Sequence, residues 1–180
     1  MVSLFCTECA TAYPADYPLW RCPCGGPLEV CVKARFPLRK MRARHAGVWR
    51  YREALPIPPN IHPVSLGEAM TPLVPIEIEN MQVLAKLEFL FPTGSYKDRG
   101  ATVLVTRMKE LGVREAVEDS SGNAAAAISA YAACAGIRCH IYVPEGTSFA
   151  KLYQIEAYGS HIHQVPGGRQ ATAEAAVAAA

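Results

Sequence analysis

The chain has 180 residues, 51 % of them hydrophobic, and its 18 basic and 16 acidic side chains leave a formal charge of +2. That is enough apolar material for a packed core, which argues against disorder, and too little charge for whole-chain attraction to a polyanion. No apolar run reaches the ~20 residues of a membrane span, and no charged segment followed by an apolar one opens the chain, so neither a span nor a signal peptide is expected.

Residues 1–31 are rich in cysteine and turns. Cys6 and Cys9 form a C-x-x-C; Cys22 and Cys24 form a C-x-C followed by Gly25 and Gly26. Two such thiolate pairs can surround one zinc ion tetrahedrally, and the glycines permit the tight knuckle. The alternative is a degenerate ribbon holding no metal. Four thiolates leave no open coordination position, so the expected role is structural. A segment this short has little core, so metal would supply much of its folding energy. Cys31, Cys134 and Cys139 read as ordinary buried thiols. An odd total of seven cysteines, four at metal-like spacing, points to a reducing, cytoplasmic location.

Residues 32–65 read as a connecting segment, basic at first and then Pro-rich in LPIPPNIHPV. Residues 33–52 hold eight basic side chains and no acidic one, with Trp49 and Tyr51 interleaved. Beside a zinc ribbon this could form a nucleic-acid surface. The favoured reading is a solvated face that packs on other parts of the protein.

Residues 66–180 are regular. MQVLAKLE reads as a strand. Ser95 and Asp98 form an S-x-x-D helix start, with Leu104, Met108 and Leu111 at helical spacing and Gly112 as the closing residue. EAVED is a short strand. A buried, Ala-rich helix runs from about Asn123 to Ala135 and closes at Gly136. CHIYVP is a strand, Thr147 or Ser148 can cap a helix that ends at Gly159, and HIHQVP is the next strand. The closing glycines are spaced by 24 and 23 residues, the βαβ rhythm of a parallel sheet. GGRQATAEAAVAAA begins a last helix without a stop signal, so the sequence reads as cut off inside it. His161 and His163 alternate on a strand and read as ordinary surface histidines.

In parallel sheets ligands bind at the carboxyl ends of strands, against helix N-termini. Two turns fall there. In PTGSYKDRG, Lys97 is expected at the second helical position, where the helix dipole and partial burial lower its pKa. A neutral amine can form a Schiff base with an aldehyde or act as a general base. The alternative is a solvated lysine beside an ordinary cap. In DSSGNAAAA, free backbone N–H groups, two serine hydroxyls and Asn123 suit an anion such as a carboxylate. The alternative is simple capping of a buried helix.

PTGSYKDRGA followed by SSGNAAAAISAYAACAGI resembles the fold-type II pyridoxal-phosphate enzymes, threonine synthases in particular. The resemblance extends through LWRCPCGGPLEV, GVWRYREALP, VSLGEAMTPL and KLYQIEAYGSHIHQVPGG, in the family's order, and covers nearly the whole chain. It implies a tryptophan synthase β-like α/β fold with a parallel sheet of βαβ units, incomplete here and preceded by the ribbon. It further implies that Lys97 holds pyridoxal 5'-phosphate and then shuttles protons. Asn123 would bond the cofactor's phenolic oxygen, and Ser120, Ser121, Gly122, Asn123 and Ala124 would hold the substrate carboxylate. The implied reaction is a lyase step that converts O-phospho-L-homoserine and water to L-threonine and phosphate. Tyr96, Ala69 and Phe91 stand where the family more often has Phe, Gly and Asn. The family's cofactor-phosphate loop and its partner for the pyridine nitrogen find no match, so the chain is expected to be inactive alone. Another fold-type II reaction, a dehydratase or β-replacement, is the runner-up; a zinc-ribbon nucleic-acid module is the rival of a different class. The expected partners are a small amino-acid substrate and, at full length, a second copy of the chain.

Overall fold

A computed structural model describes residues 2–17 and 19–180 of the chain. It contains two compact units, residues 1–61 and 62–180.

In the first unit, β1 (Val2–Cys6) lies between β2 (Ala12–Pro14) and β3 (Leu28–Val32), both antiparallel to it. Residues 32–61, most of the connector expected over 32–65, cluster with the ribbon and carry α1 (Leu38–Arg42) and a 3-10 segment at Val48–Ala54. Among the described residues, the buried apolar side chains of this unit are Cys6, Cys22 and Ile57. Two of those three are thiols, which is a very small hydrocarbon core.

The second unit opens with an antiparallel hairpin of β4 (Leu73–Ile78) and β5 (Met81–Lys86). Its turn residues Glu79 and Asn80 both have positive φ, the backbone of a two-residue primed turn. The strand expected in MQVLAKLE is therefore present, but it pairs in this hairpin and not in the parallel sheet. The sheet is β6 (Glu115–Glu118), β7 (Arg138–Pro144) and β8 (His161–Val165), parallel and in sequence order. Helices α2 (Asp98–Glu110), α3 (Asn123–Ala135), α4 (Phe149–Ala157) and α5 (Arg169–Ala179) connect or flank these strands. Gly136 closes α3 in the left-handed conformation at φ 72°, which spares the Cβ strain another residue would carry there. No helix among the described residues is long and apolar enough to cross a membrane.

The core lies between α2, α3 and α4 and one sheet face. Small alanines of α3 let it pack closely on Cys139, Ile141 and Val143 of β7, with Leu152 and Ile155 beside them. The buried face of α2 is Ala101, Thr102, Val105 and Thr106; of the three apolar residues at helical spacing, Met108 packs against the core and Leu104 and Leu111 are exposed. The reason is polar. Thr106 Oγ1 accepts from Val64 N at 2.8 Å, and Thr102 Oγ1 lies 2.6 Å from Val64 O and 2.9 Å from Glu68 Oε1. Glu68 is itself buried and accepts from the Tyr131 hydroxyl at 2.9 Å and from Leu66 N at 3.0 Å. Burial and the Glu68 carboxylate push the Tyr131 phenol upward. Tyr131→Phe leaves a buried carboxylate short of a donor. It should lower stability by roughly 1–3 kcal/mol, read from the denaturant midpoint at unchanged slope; an unshifted midpoint would remove this network from the account.

Of Cys31, Cys134 and Cys139, all expected to be buried, one is. Cys139 is buried, but Cys31 and Cys134 are exposed. His161 and His163 do share a face, yet His140 of β7 joins them. Its Nδ1 lies 3.0 Å from His163 Nε2, and the Tyr142 ring stacks on His163 at 4.6 Å.

Candidate functional site

Topology brings the two turns to one edge. β6 and β7 are parallel and α3 connects them, so the α3 N-terminus lies at the carboxyl end of β6. The C-terminus of α2 feeds the start of β6, so α2 also runs against the strand and begins at that same edge. Lys97 thus shares an edge with Ser120–Ala124. Its charge also acts on Glu118, the last residue of β6.

Lys97 occupies the position just before α2, not the second helical position. The cap explains the shift. Asp98, fully buried, turns its carboxylate back to Thr93: Oδ2 accepts from Thr93 N at 2.9 Å and Oδ1 accepts from the Thr93 hydroxyl. Asp98 is therefore the first helical residue, and it completes the turn it closes. Ser95 Oγ accepts instead from Lys97 N at 3.3 Å. The Lys97 side chain is half-buried, and its Nζ stands 5.0 Å from the centre of the Tyr96 ring.

The lysine loop is held from three sides. Gln154 of α4 donates to Thr93 O at 3.0 Å. Arg99 makes a two-pronged pair with Glu88, both bonds 2.8 Å, and stacks on Phe91 at 4.6 Å. Thr71 donates at 2.5 Å to Glu88 Oε1, the oxygen that also accepts from Arg99 Nη2. The Arg99 guanidinium and the Thr71 hydroxyl hold the Glu88 carboxyl down to about 2. The pair's stability contribution is thus complete above the ordinary carboxylate range and is lost as pH falls through about 2.

In the second turn, Gly122 occupies the N-cap of α3 and no side chain caps it. Asn123 and Gly122 are exposed; Ser120, Ser121 and Ala124 are half-buried. Ser120 Oγ accepts from Gly122 N at 3.2 Å. The first-turn amides of this 13-residue helix point out of the sheet edge, where an anion can accept from them. Arg169 at the start of α5 pairs with Asp119 at 2.9 Å and donates to the Asp119 carbonyl, tying the turn to α5. Glu118 is held above its usual range, first by burial and then by Asp119. Spacing alone points to neither Glu118 nor Arg169; the acidic pair directly before the Ser-Ser-Gly run is the one local signal.

The four ribbon cysteines meet as well. Their sulfurs all lie within 4.8 Å of one another, with Cys6–Cys24 and Cys9–Cys22 at 3.5 Å. Four sulfurs at about 2.3 Å from one zinc ion are about 3.8 Å apart, so the cluster fits that ion. The Tyr13 hydroxyl is 2.8 Å from Cys22 Sγ, a neighbour that would fix that ligand's orientation. A Cβ on Gly26 would stand 2.7 Å from Cys6 Sγ and 2.7 Å from Glu8 Cγ. Gly26→Ala should therefore loosen the cluster and speed metal loss to a chelator; an unchanged loss rate would show that the knuckle absorbs the methyl.

The family described as "Pyridoxal-phosphate dependent enzyme" matches residues 64–180. The threonine synthase of Methanocaldococcus jannaschii is 40 % identical over 173 residues, 90 % of this chain and 43 % of that protein. The threonine synthase of Methanosarcina acetivorans is 33 % identical over 177 residues, 93 % of this chain and 43 % of that protein. Among solved structures, an O-ureido-L-serine synthase superimposes with a TM-score of 0.56 at 29 % identity, covering 61 % of this chain and 38 % of that one. The chain spans less than half the length of these relatives.

Proposed function

The chain belongs to the pyridoxal-phosphate dependent enzyme family, and we propose that it serves a threonine synthase-like lyase reaction, forming L-threonine and phosphate from O-phospho-L-homoserine and water. The observation that carries this reading is the shared edge of Lys97 and the open α3 N-terminus. An amine and an uncapped set of amides on one sheet edge suit an aldehyde cofactor and a carboxylate substrate.

In this reading Lys97 holds pyridoxal 5'-phosphate through its amine and moves a proton at Nζ once substrate has taken its place. The Asn123 side-chain amide bonds the cofactor's ring oxygen. The amides and hydroxyls of Ser120 to Ala124 seat the α-carboxylate of a small amino acid. Asp98, Gln154 and Arg99 keep the lysine loop in position without touching substrate. Bound cofactor supplies the electron sink; the protein supplies orientation and proton transfer. A second reading, β-replacement on a serine derivative, is supported by the likeness to the O-ureido-L-serine synthase.

The experiment is a substrate panel on the cofactor-loaded full-length gene product, following phosphate and threonine together. The proposal expects stoichiometric phosphate and threonine from O-phosphohomoserine. Turnover confined to serine derivatives would move the assignment to β-replacement.

We infer that Cys6, Cys9, Cys22 and Cys24 hold one structural zinc ion, supported by their mutual approach and by the first unit's small hydrocarbon core. A reducing, cytoplasmic setting, supported by the metal-like spacing of four of the seven cysteines, belongs to the same proposal.

A further inference from the structure

The first unit lies outside the residues matched by the enzyme family, yet it holds a large cavity of its own. The cavity has a volume of about 670 Å³, the size range of small-molecule sites. Its charged lining is Lys33, Arg35, Lys40, Arg44, Arg52 and Glu53, five positive groups against one negative. Leu55 and the buried Ile57 supply an apolar floor. We propose that this cavity binds a small anion bearing a phosphate group.

Two of the cations are fixed before any ligand arrives. Both Arg44 terminal nitrogens donate to the Glu53 carboxylate at 2.6 Å. That pairing holds the Glu53 carboxyl down to about 2, so the acid stays ionised and Arg44 stays in place. Arg52 Nη2 donates to Pro59 O at 2.8 Å and Ile61 O at 3.0 Å. Lys33, Arg35 and Lys40 form no side-chain hydrogen bond or ion pair among the described residues, so their donors are available. A wall of oriented guanidinium groups with free ammonium groups at the rim is the donor set that a phosphate accepts from.

The charge of the whole chain hides this site. Residues 1–61 carry nine basic and four acidic side chains; residues 62–180 carry nine and twelve. The positive excess is thus confined to the unit with the cavity. Its arrangement also favours a small ligand over nucleic acid. The cations surround a concavity, and none of the three aromatic residues of the basic run, the exposed Phe36 and the half-buried Trp49 and Tyr51, lines it. A nucleic-acid strand would need an extended basic track with exposed rings.

The test is calorimetric titration of the zinc-loaded, cofactor-free full chain with inorganic phosphate, AMP, adenosine and a single-stranded oligothymidylate. Saturable binding of phosphate or AMP, with none for adenosine, is expected. Tighter binding of AMP than of phosphate assigns the apolar floor to an organic body; equal binding assigns the site to free phosphate. The exposed pair Lys33→Gln and Lys40→Gln, which should leave the fold intact, is expected to weaken binding about tenfold or more. No saturable binding of either phosphate source overturns the proposal, as does binding that the double variant leaves unchanged. Tighter, steeply salt-dependent binding of the oligothymidylate also overturns it, because the cations would then be reading a strand.

Discussion

Lys97→Ala should abolish the yellow cofactor complex and reduce threonine formation by roughly 10²–10⁴-fold from lost proton transfer alone, with the lost attachment adding to that. The variant should still fold. The Lys97 amine stacks at 5.0 Å from the Tyr96 ring, whereas the helix start depends on Asp98 and Thr93 and the loop depends on Gln154 and the Arg99–Glu88 pair. Thermal stability within about 0.5 kcal/mol of the parent is therefore expected, as for a substitution away from core and caps. Lys97→Arg is the sharper control. It keeps positive charge and length but offers no amine that can condense with an aldehyde, so it should be as inactive as the alanine variant. A functional arginine variant would mean that charge, not nucleophilicity, is what the edge requires.

Removing zinc should have the other large effect, and it should be confined to residues 1–61. That unit buries little besides Cys6, Cys22 and Ile57, whereas the second unit has its own core of alanines from α3 with Val105, Tyr131, Ile141, Val143 and Ile155. Structural zinc is worth about 10–16 kcal/mol of apparent binding energy in small zinc-finger peptides, more than a unit this poor in hydrocarbon can replace. A strong chelator should therefore release one zinc per chain and expose the amides of β1, β2 and β3 to hydrogen exchange, while β6, β7 and β8 keep their protection. Cys6→Ser should reproduce this without chelator, because the hydroxyl is a poor ligand and Cys6 is the most enclosed of the four. Unchanged protection in the ribbon after complete chelation would show that the cluster folds on hydrogen bonds and needs no metal.

Local signals were enough for some parts of this molecule and not for others. The run of alanines from Asn123, closed by a glycine, specifies α3 because propensity, burial and the left-handed cap all agree there. The spacing of three glycines announces the parallel sheet because each one ends a helix that must return to the strand edge. The cysteine knuckles were legible because two short thiol pairs at this spacing are rare in sequence, and their sulfurs do meet in space. β4 is harder to read, since Pro75 sits inside LVPIEI and weakens the strand signal. The inward face of α2 is illegible locally. Thr102 and Thr106 are buried because Val64 and Glu68 meet them, more than thirty residues earlier in the chain. The helix start lies two positions later than expected, putting Lys97 before it, for a similar reason, since Asp98 looks like a cap for Ser95 in sequence but bonds Thr93 in space. His140 joined His161 and His163 through sheet register, which no spacing within one strand reveals. The basic run changes meaning too: Glu53 fixes Arg44, and a stretch that looks like a solvated face becomes the wall of a cavity.

The most direct test is peptide mapping after borohydride reduction of the protein loaded with pyridoxal 5'-phosphate. One pyridoxyl-phosphate adduct per chain, carried by the peptide that contains Lys97, is the predicted result. An adduct on Lys86 or Lys109 instead, or label scattered across several lysines, would contradict it.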